Sequence, residues 1–120
     1  MARVLIVDDS RTSRRFLNNM LTEAGYEVVA EAVDGEDGVK KYEELRPDIV
    51  TMDITMPKLD GIDAVSDIIK IDPEAKIIMV TAAGQKSNIV EALKRGAADF
   101  IQKPFESSAI LSVIEKVMEE

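Results

Sequence analysis

Residues 1–10 read MARVLIVDDS. Val4, Leu5, Ile6 and Val7 form an unbroken apolar run, and Asp8 and Asp9 follow at once. A strand with water on one face alternates apolar and polar side chains. An unbroken run marks a strand covered on both faces, the habit of parallel sheets sandwiched between helices. The same stretch delivers two carboxylates side by side to the strand's end. Like charges that close repel each other, and more strongly away from water. Either they sit in open solvent, or a positive group belongs between them and a third partner.

Working outward, the pattern repeats. Phe16, Leu17, Met20, Leu21 and Ala24 make one helical stripe, and Gly25 stops it at a C′ position. Glu27 to Ala32 (EVVAEA) has acids at both ends and reads as an edge strand. A helix with Val39, Tyr42 and Leu45 ends before Pro47. Ile49 to Met52 is a third strand, and it too runs into an acid, Asp53. After the turn PKLDG comes a helix with Val65, Ile68 and Ile69, closed by Asp72-Pro73. Ile77 to Val80 is a fourth strand ending in Thr81. Ile89, Ala92 and Leu93 mark a fourth helix that stops at Gly96. Asp99 to Gln102 is a fifth strand followed by Lys103-Pro104, and Ile110, Val113, Ile114 and Val117 mark the last helix.

Strands alternating with helices imply an α/β fold: a doubly wound parallel sheet of five strands in a single domain, residues 1–120. Crossovers are right-handed, so helices reach both faces only if the strand order reverses somewhere. Ligands bind at that reversal, beyond the strands' C-terminal ends. Neighbouring strands lie about 4.8 Å apart. The acids that end strands one and three converge best if those strands are neighbours and strand two is at the edge. The order is then 2-1-3-4-5, that of flavodoxin-like folds.

Composition removes whole classes of chemistry. The chain of 120 residues has no Cys and no His, which excludes disulfides, thiolate sites, imidazole bases and Ser-His-Asp catalysis. Lys and Arg number 15 against 23 Asp and Glu, a net charge of −8. That balance argues against nucleic acid and against anionic membrane surfaces. No apolar run approaches the ~20 residues of a transmembrane helix, so the expected location is the cytoplasm.

The polar groups of interest all fall at one end of one sheet. Strand one brings Asp8 and Asp9, strand three Asp53, strand four Thr81, strand five Lys103. Singly, each has an ordinary explanation: an N-cap acid, a strand threonine, a solvated lysine. Ser10 supplies the cap of the first helix by itself, so capping does not account for two acids. Chance placement would scatter the set over both ends of the sheet. Three carboxylates are balanced by one ammonium and one divalent cation. Few ligands, all oxygen, select Mg²⁺, with Mn²⁺ as the other candidate. Asp53, on the central strand, is the nucleophile candidate for an acyl phosphate. With no His in the chain, a phosphohistidine donor belongs to another protein.

At this point the sequence resembles the receiver domains of two-component response regulators over essentially its whole length. The motifs stand as VDDS, MDITMPKLDG, MVTA and KPF. The nearest likeness is to stand-alone chemotaxis receivers, because the chain ends with its fifth helix. The resemblance implies that a partner histidine kinase phosphorylates Asp53. It implies that Asp9 and Asp53 ligate Mg²⁺ together with the Thr55 backbone carbonyl, and that Asp8 acts through a bound water. Lys103 would contact the phosphoryl group, and Asp53 before phosphorylation; the Lys103-Pro104 bond would be cis. Thr81 and Phe100 would be a switch pair. Ile89, Phe100 and Gln102 would belong to a readout face for a flagellar motor switch protein or a His phosphotransferase, with a phosphatase as a further partner. The chain would be a monomer and a signalling switch rather than an enzyme. Phe100 lacks the hydroxyl of the Tyr in the enterobacterial chemotaxis protein, and Thr55 and Ala83 stand where that protein has Asn and Glu.

Two other classes fit the sequence less well. A phosphatase of the haloacid-dehalogenase type places an acid two residues after its nucleophile, and here Thr55 stands there. A binding module that is never phosphorylated has no need of three unpaired acids and a lysine.

Overall fold

The computed structural model describes residues 2–54, 56, 60–82 and 84–119. Its five strands are β1 (Arg3–Val7), β2 (Glu27–Ala32), β3 (Ile49–Asp53), β4 (Ile77–Thr81) and β5 (Asp99–Gln102). The helices between and after them are α1 (Arg11–Glu23), α2 (Gly35–Leu45), α3 (Gly61–Ile71), α4 (Lys86–Lys94) and α5 (Ser107–Met118). All strand pairs are parallel, in the order β2-β1-β3-β4-β5. The expected fold class and strand order are those observed.

Two aliphatic cores explain the unbroken apolar runs. Val4 and Ile6 of β1 face α1 and α5, where they meet Leu17, Leu21, Ile110 and Ile114. Leu5 and Val7 face the opposite way, toward Tyr42, Val65, Ile68 and Ala92 of α2, α3 and α4. Each alternate side chain therefore has its own layer of helix to bury against. The acids of β2 are tolerated because β2 lies at the edge: Glu27 is exposed and Glu31 half-buried.

Local signals set the helix starts. Ser10, Asp34 and Asp60 each occupy an N-cap and accept a backbone N–H three residues on, at 3.2, 2.8 and 2.9 Å. Each cap contributes about 1 kcal/mol. Gly25, at φ +95°, follows α1 as expected of a C′ glycine. One expectation fails in α1. Leu17, Met20 and Leu21 are buried, but Phe16 is 51% exposed and Ala24 is exposed. Phe16 sits at the flank of the stripe, where its ring meets Phe105 at 6.2 Å instead of entering the core.

The central strand carries one uncompensated polar atom. Thr51 pairs with Ile6 on one side and Ile78 on the other, is buried, and its Oγ1 has no hydrogen-bond partner. A buried hydroxyl without a partner costs on the order of 1–3 kcal/mol. Thr51→Val keeps the shape and removes that cost. The expected result is a gain of about 1 kcal/mol, seen as a higher urea midpoint at unchanged m-value. A lower midpoint would show that the hydroxyl is satisfied in solution.

Candidate functional site

The register of β1 against β3 sets the site. Ile6 pairs with Thr51 and Val7 with Met52. Asp8 leaves β1 where Asp53 ends β3, at the same rim of the sheet. Asp8, Asp9 and Asp53 each present a carboxylate oxygen, and these oxygens lie within 4.8 Å of one another.

The three acids differ in environment. Asp8 is buried. Its backbone N–H donates to the Ala32 carbonyl at 3.1 Å, and its Oδ1 accepts from the Ser10 N–H at 2.8 Å. Its Oδ2 is buried without a hydrogen bond. Asp9 is exposed, and Asp53 is half-buried. Burial, and next the charge of Asp8, push the Asp53 carboxyl from 3.8 up to about 6; Asp9 pushes the same way, against Lys103 and the Ile54 N–H.

Lys103 arrives from the far side of the sheet. Its backbone N–H donates to the Thr81 carbonyl at 2.7 Å, and its peptide bond to Pro104 is cis. The resemblance implies a contact of Lys103 with Asp53. In the structure the ion pair of Lys103 is with Asp8, Nζ to Oδ2 at 3.7 Å, and its charge also acts on Asp53. The reason lies in the acceptors. Asp8 Oδ2 is the buried oxygen lacking a donor, whereas Asp53 already receives the Ile54 N–H and feels Lys103 through space. Thr81 is buried and donates its hydroxyl to the Ala82 carbonyl at 2.8 Å. Thr55 and Ala83 lie outside the described residues.

This donor set suits a hard divalent cation. It offers oxygen only, it carries more negative charge than Lys103 balances, and one buried oxygen lacks a hydrogen bond.

Ile89, Phe100 and Gln102 meet at a separate place. With Val90 and Leu93 they line a largely apolar groove of about 390 Å³ between α4 and β5. Phe100 is 38% exposed, so it is not a core aromatic.

One site residue escaped the sequence reading. Gly61, the first residue of α3, donates its N–H to the Ile54 carbonyl at 2.7 Å. A β-carbon there would collide with the Asp53 carbonyl oxygen and come within 2.8 Å of Ile54 Cα. The helix start is thus pressed directly against the peptide of Asp53. Its trace in the sequence is the Asp-Gly pair after the strand, which reads equally well as a turn.

Comparison with known proteins agrees with this fold. The model of the response regulator receiver domain family matches residues 4–115. The chemotaxis protein CheY of Thermotoga maritima is 56% identical over 115 residues, 96% of each chain. CheY of Bacillus subtilis is 49% identical over 116 residues, 97% of each. Among solved structures, the CheX-CheY-BeF3-Mg²⁺ complex from Borrelia burgdorferi superimposes with a TM-score of 0.93 at 40% identity, covering 97% of this chain and 88% of that one. A match along nearly the whole length, on the same sheet order, makes this chain a member of the response-regulator receiver family of two-component systems, closely related to the chemotaxis CheY proteins.

Proposed function

We propose that residues 1–120 form one receiver unit, a single-domain response regulator that a partner histidine kinase phosphorylates on Asp53. The observation that carries this reading is the trio of carboxylate oxygens within 4.8 Å, one belonging to a buried carboxylate with an unbonded oxygen, beside Lys103. Asp8, Asp9 and Asp53, with the Thr55 carbonyl, would hold Mg²⁺. When bound, that ion offsets negative charge on the carboxylates and on the incoming phosphoryl oxygens. The Mg²⁺ named in the Borrelia burgdorferi complex supports the choice of cation.

The chain's own groups do the rest. An oxygen of Asp53 attacks phosphorus, the phosphorus–nitrogen bond of the donor phosphohistidine breaks, and the imidazole leaves with its electron pair. Lys103 turns from Asp8 to a phosphoryl oxygen. The Thr81 hydroxyl leaves the Ala82 carbonyl for another, and the Phe100 ring moves toward the space it vacates. These are contacts made only in the phosphorylated state, so they shift the population of conformers. The groove of Ile89, Phe100 and Gln102 carries the change to a partner. Kinship with the CheY proteins favours a flagellar motor switch protein as that partner. Thr55, two residues after Asp53, supplies no general acid or base, which suits a persistent signal rather than turnover.

Incubation with acetyl phosphate and Mg²⁺ tests the reading. The expected result is a mass gain of one phosphoryl group, acid-stable and base-labile, and absent in EDTA. No gain with Mg²⁺ present, or an equal gain in EDTA, would refute it.

A further inference from the structure

The first two cation ligands, Asp8 and Asp9, are joined by a single peptide unit. That unit is planar, so its orientation sets the two α-carbons from which the carboxylates project. The preceding peptide is held by β2 through the Asp8 N–H and the Ala32 carbonyl. The Asp8–Asp9 plane has a different anchor. Arg14 of α1 donates Nη1 to the Asp8 carbonyl at 2.7 Å. Its Nε faces Glu31 of β2 at 3.2 Å, and its side chain is 13% exposed. Glu31 is itself held: Asn18 Nδ2 donates to its other oxygen at 2.7 Å, and Lys41 Nζ to its backbone carbonyl at 2.6 Å.

In α1 itself, Arg14 does not serve helix stability. The helix opens with Arg11, Arg14 and Arg15, and its first turn has no acid. Positive charge near a helix N-terminus opposes the macrodipole and is mildly unfavourable. A guanidinium fork satisfies two acceptors at once, a carboxylate and a carbonyl, which a single ammonium does less well.

Resting on the metal-site reading above, we propose that Arg14 is a positioning residue for Mg²⁺. It locks the Asp8–Asp9 peptide plane against the edge strand, and so presents both carboxylates in a cation-binding geometry despite their mutual repulsion. Partners that orient metal ligands in this way typically change metal affinity by about 10–100-fold when removed.

Titration of the unphosphorylated protein with Mg²⁺ alone, followed by calorimetry, tests this. Arg14→Ala is expected to raise the Mg²⁺ dissociation constant about tenfold. Arg14→Met keeps the apolar stem and removes the donors, so it carries the same expectation where the alanine variant does not fold. Ile114→Val, a core change remote from the rim, separates positioning from general stability: it should lower the melting temperature and leave the Mg²⁺ constant unchanged. Asp9→Asn separates this inference from the reading beneath it. Wild-type affinity in Asp9→Asn would overturn the metal-site reading, and this inference with it. Weakened binding in Asp9→Asn with wild-type affinity in a folded Arg14 variant would overturn the role of Arg14 alone. An equal loss in Ile114→Val would also overturn it, by tracing the effect to stability.

Discussion

Asp53→Asn is expected to abolish phosphorylation by acetyl phosphate and, in the metal-free protein at pH 7, to raise stability by on the order of 1–3 kcal/mol. Both effects come from the same crowding. The amide has no anionic oxygen with which to attack phosphorus, and the other two acids are differently placed, Asp8 buried beside Lys103 and Asp9 exposed. Label retained at wild-type level in the variant would move the nucleophile elsewhere. On the stability side, the native Asp53 carboxyl holds its proton up to about pH 6, against an ordinary 3.8, because of burial first and the charge of Asp8 next. The folded state therefore binds more protons than the unfolded one between these values. The favourable contribution is full below about pH 4 and is lost as pH rises through 6. At neutral pH the charged group works against the fold by at most about 3 kcal/mol, and by less than that at a rim open to water.

Urea denaturation without metal checks this sign. Between pH 4.5 and 7.5 the wild type should lose more stability than Asp53→Asn, which no longer titrates there. With Mg²⁺ present the difference narrows, since binding at a hundredfold excess over the dissociation constant stabilises the folded wild type by about 2.7 kcal/mol. A variant less stable than wild type at pH 7.5 without metal would mean that the carboxylates are not crowded.

The residues that made the fold legible are those whose role is local. Val4 to Val7 declared a doubly covered strand, and the alternation of Val4 and Ile6 against Leu5 and Val7 between two cores shows why. Glu27 and Glu31 declared an edge, and Ser10 a helix start. The convergence of acids was legible because each ends a strand of one parallel sheet. What stayed hidden depends on distances across the fold. Phe16 fits the apolar spacing of α1, but its place beside Phe105 at the flank is decided by the path of the chain after β5. The pairing of Lys103 with Asp8 follows from which oxygen lacks a donor, a property of the assembled rim. Arg14 looks like one surface charge among three until α1 is set against β1 and β2.

Gly61→Ala is expected to cost about 3 kcal/mol of stability and to slow phosphorylation at least tenfold. The added methyl meets main chain: the carbonyl oxygen and carbon of Asp53 and the α-carbon of Ile54. Backbone at the end of a central strand cannot rotate aside as a side chain can. Either α3 withdraws, breaking the Gly61–Ile54 hydrogen bond of 2.7 Å, or the Asp53 peptide turns and carries the nucleophile with it. A misplacement of 1 Å at a reacting group is worth up to about a hundredfold in rate. Gly38→Ala is the contrast. There the methyl meets the γ-methyl groups of buried Val7 at 2.9 and 3.0 Å, side chain rather than main chain, and helix propensity offsets about 1 kcal/mol of the cost. That variant should lose less stability than Gly61→Ala and stay near wild type in phosphorylation rate with saturating Mg²⁺. If Gly61→Ala loses stability yet is phosphorylated as fast as wild type, the close approach of α3 serves packing and does not aim Asp53.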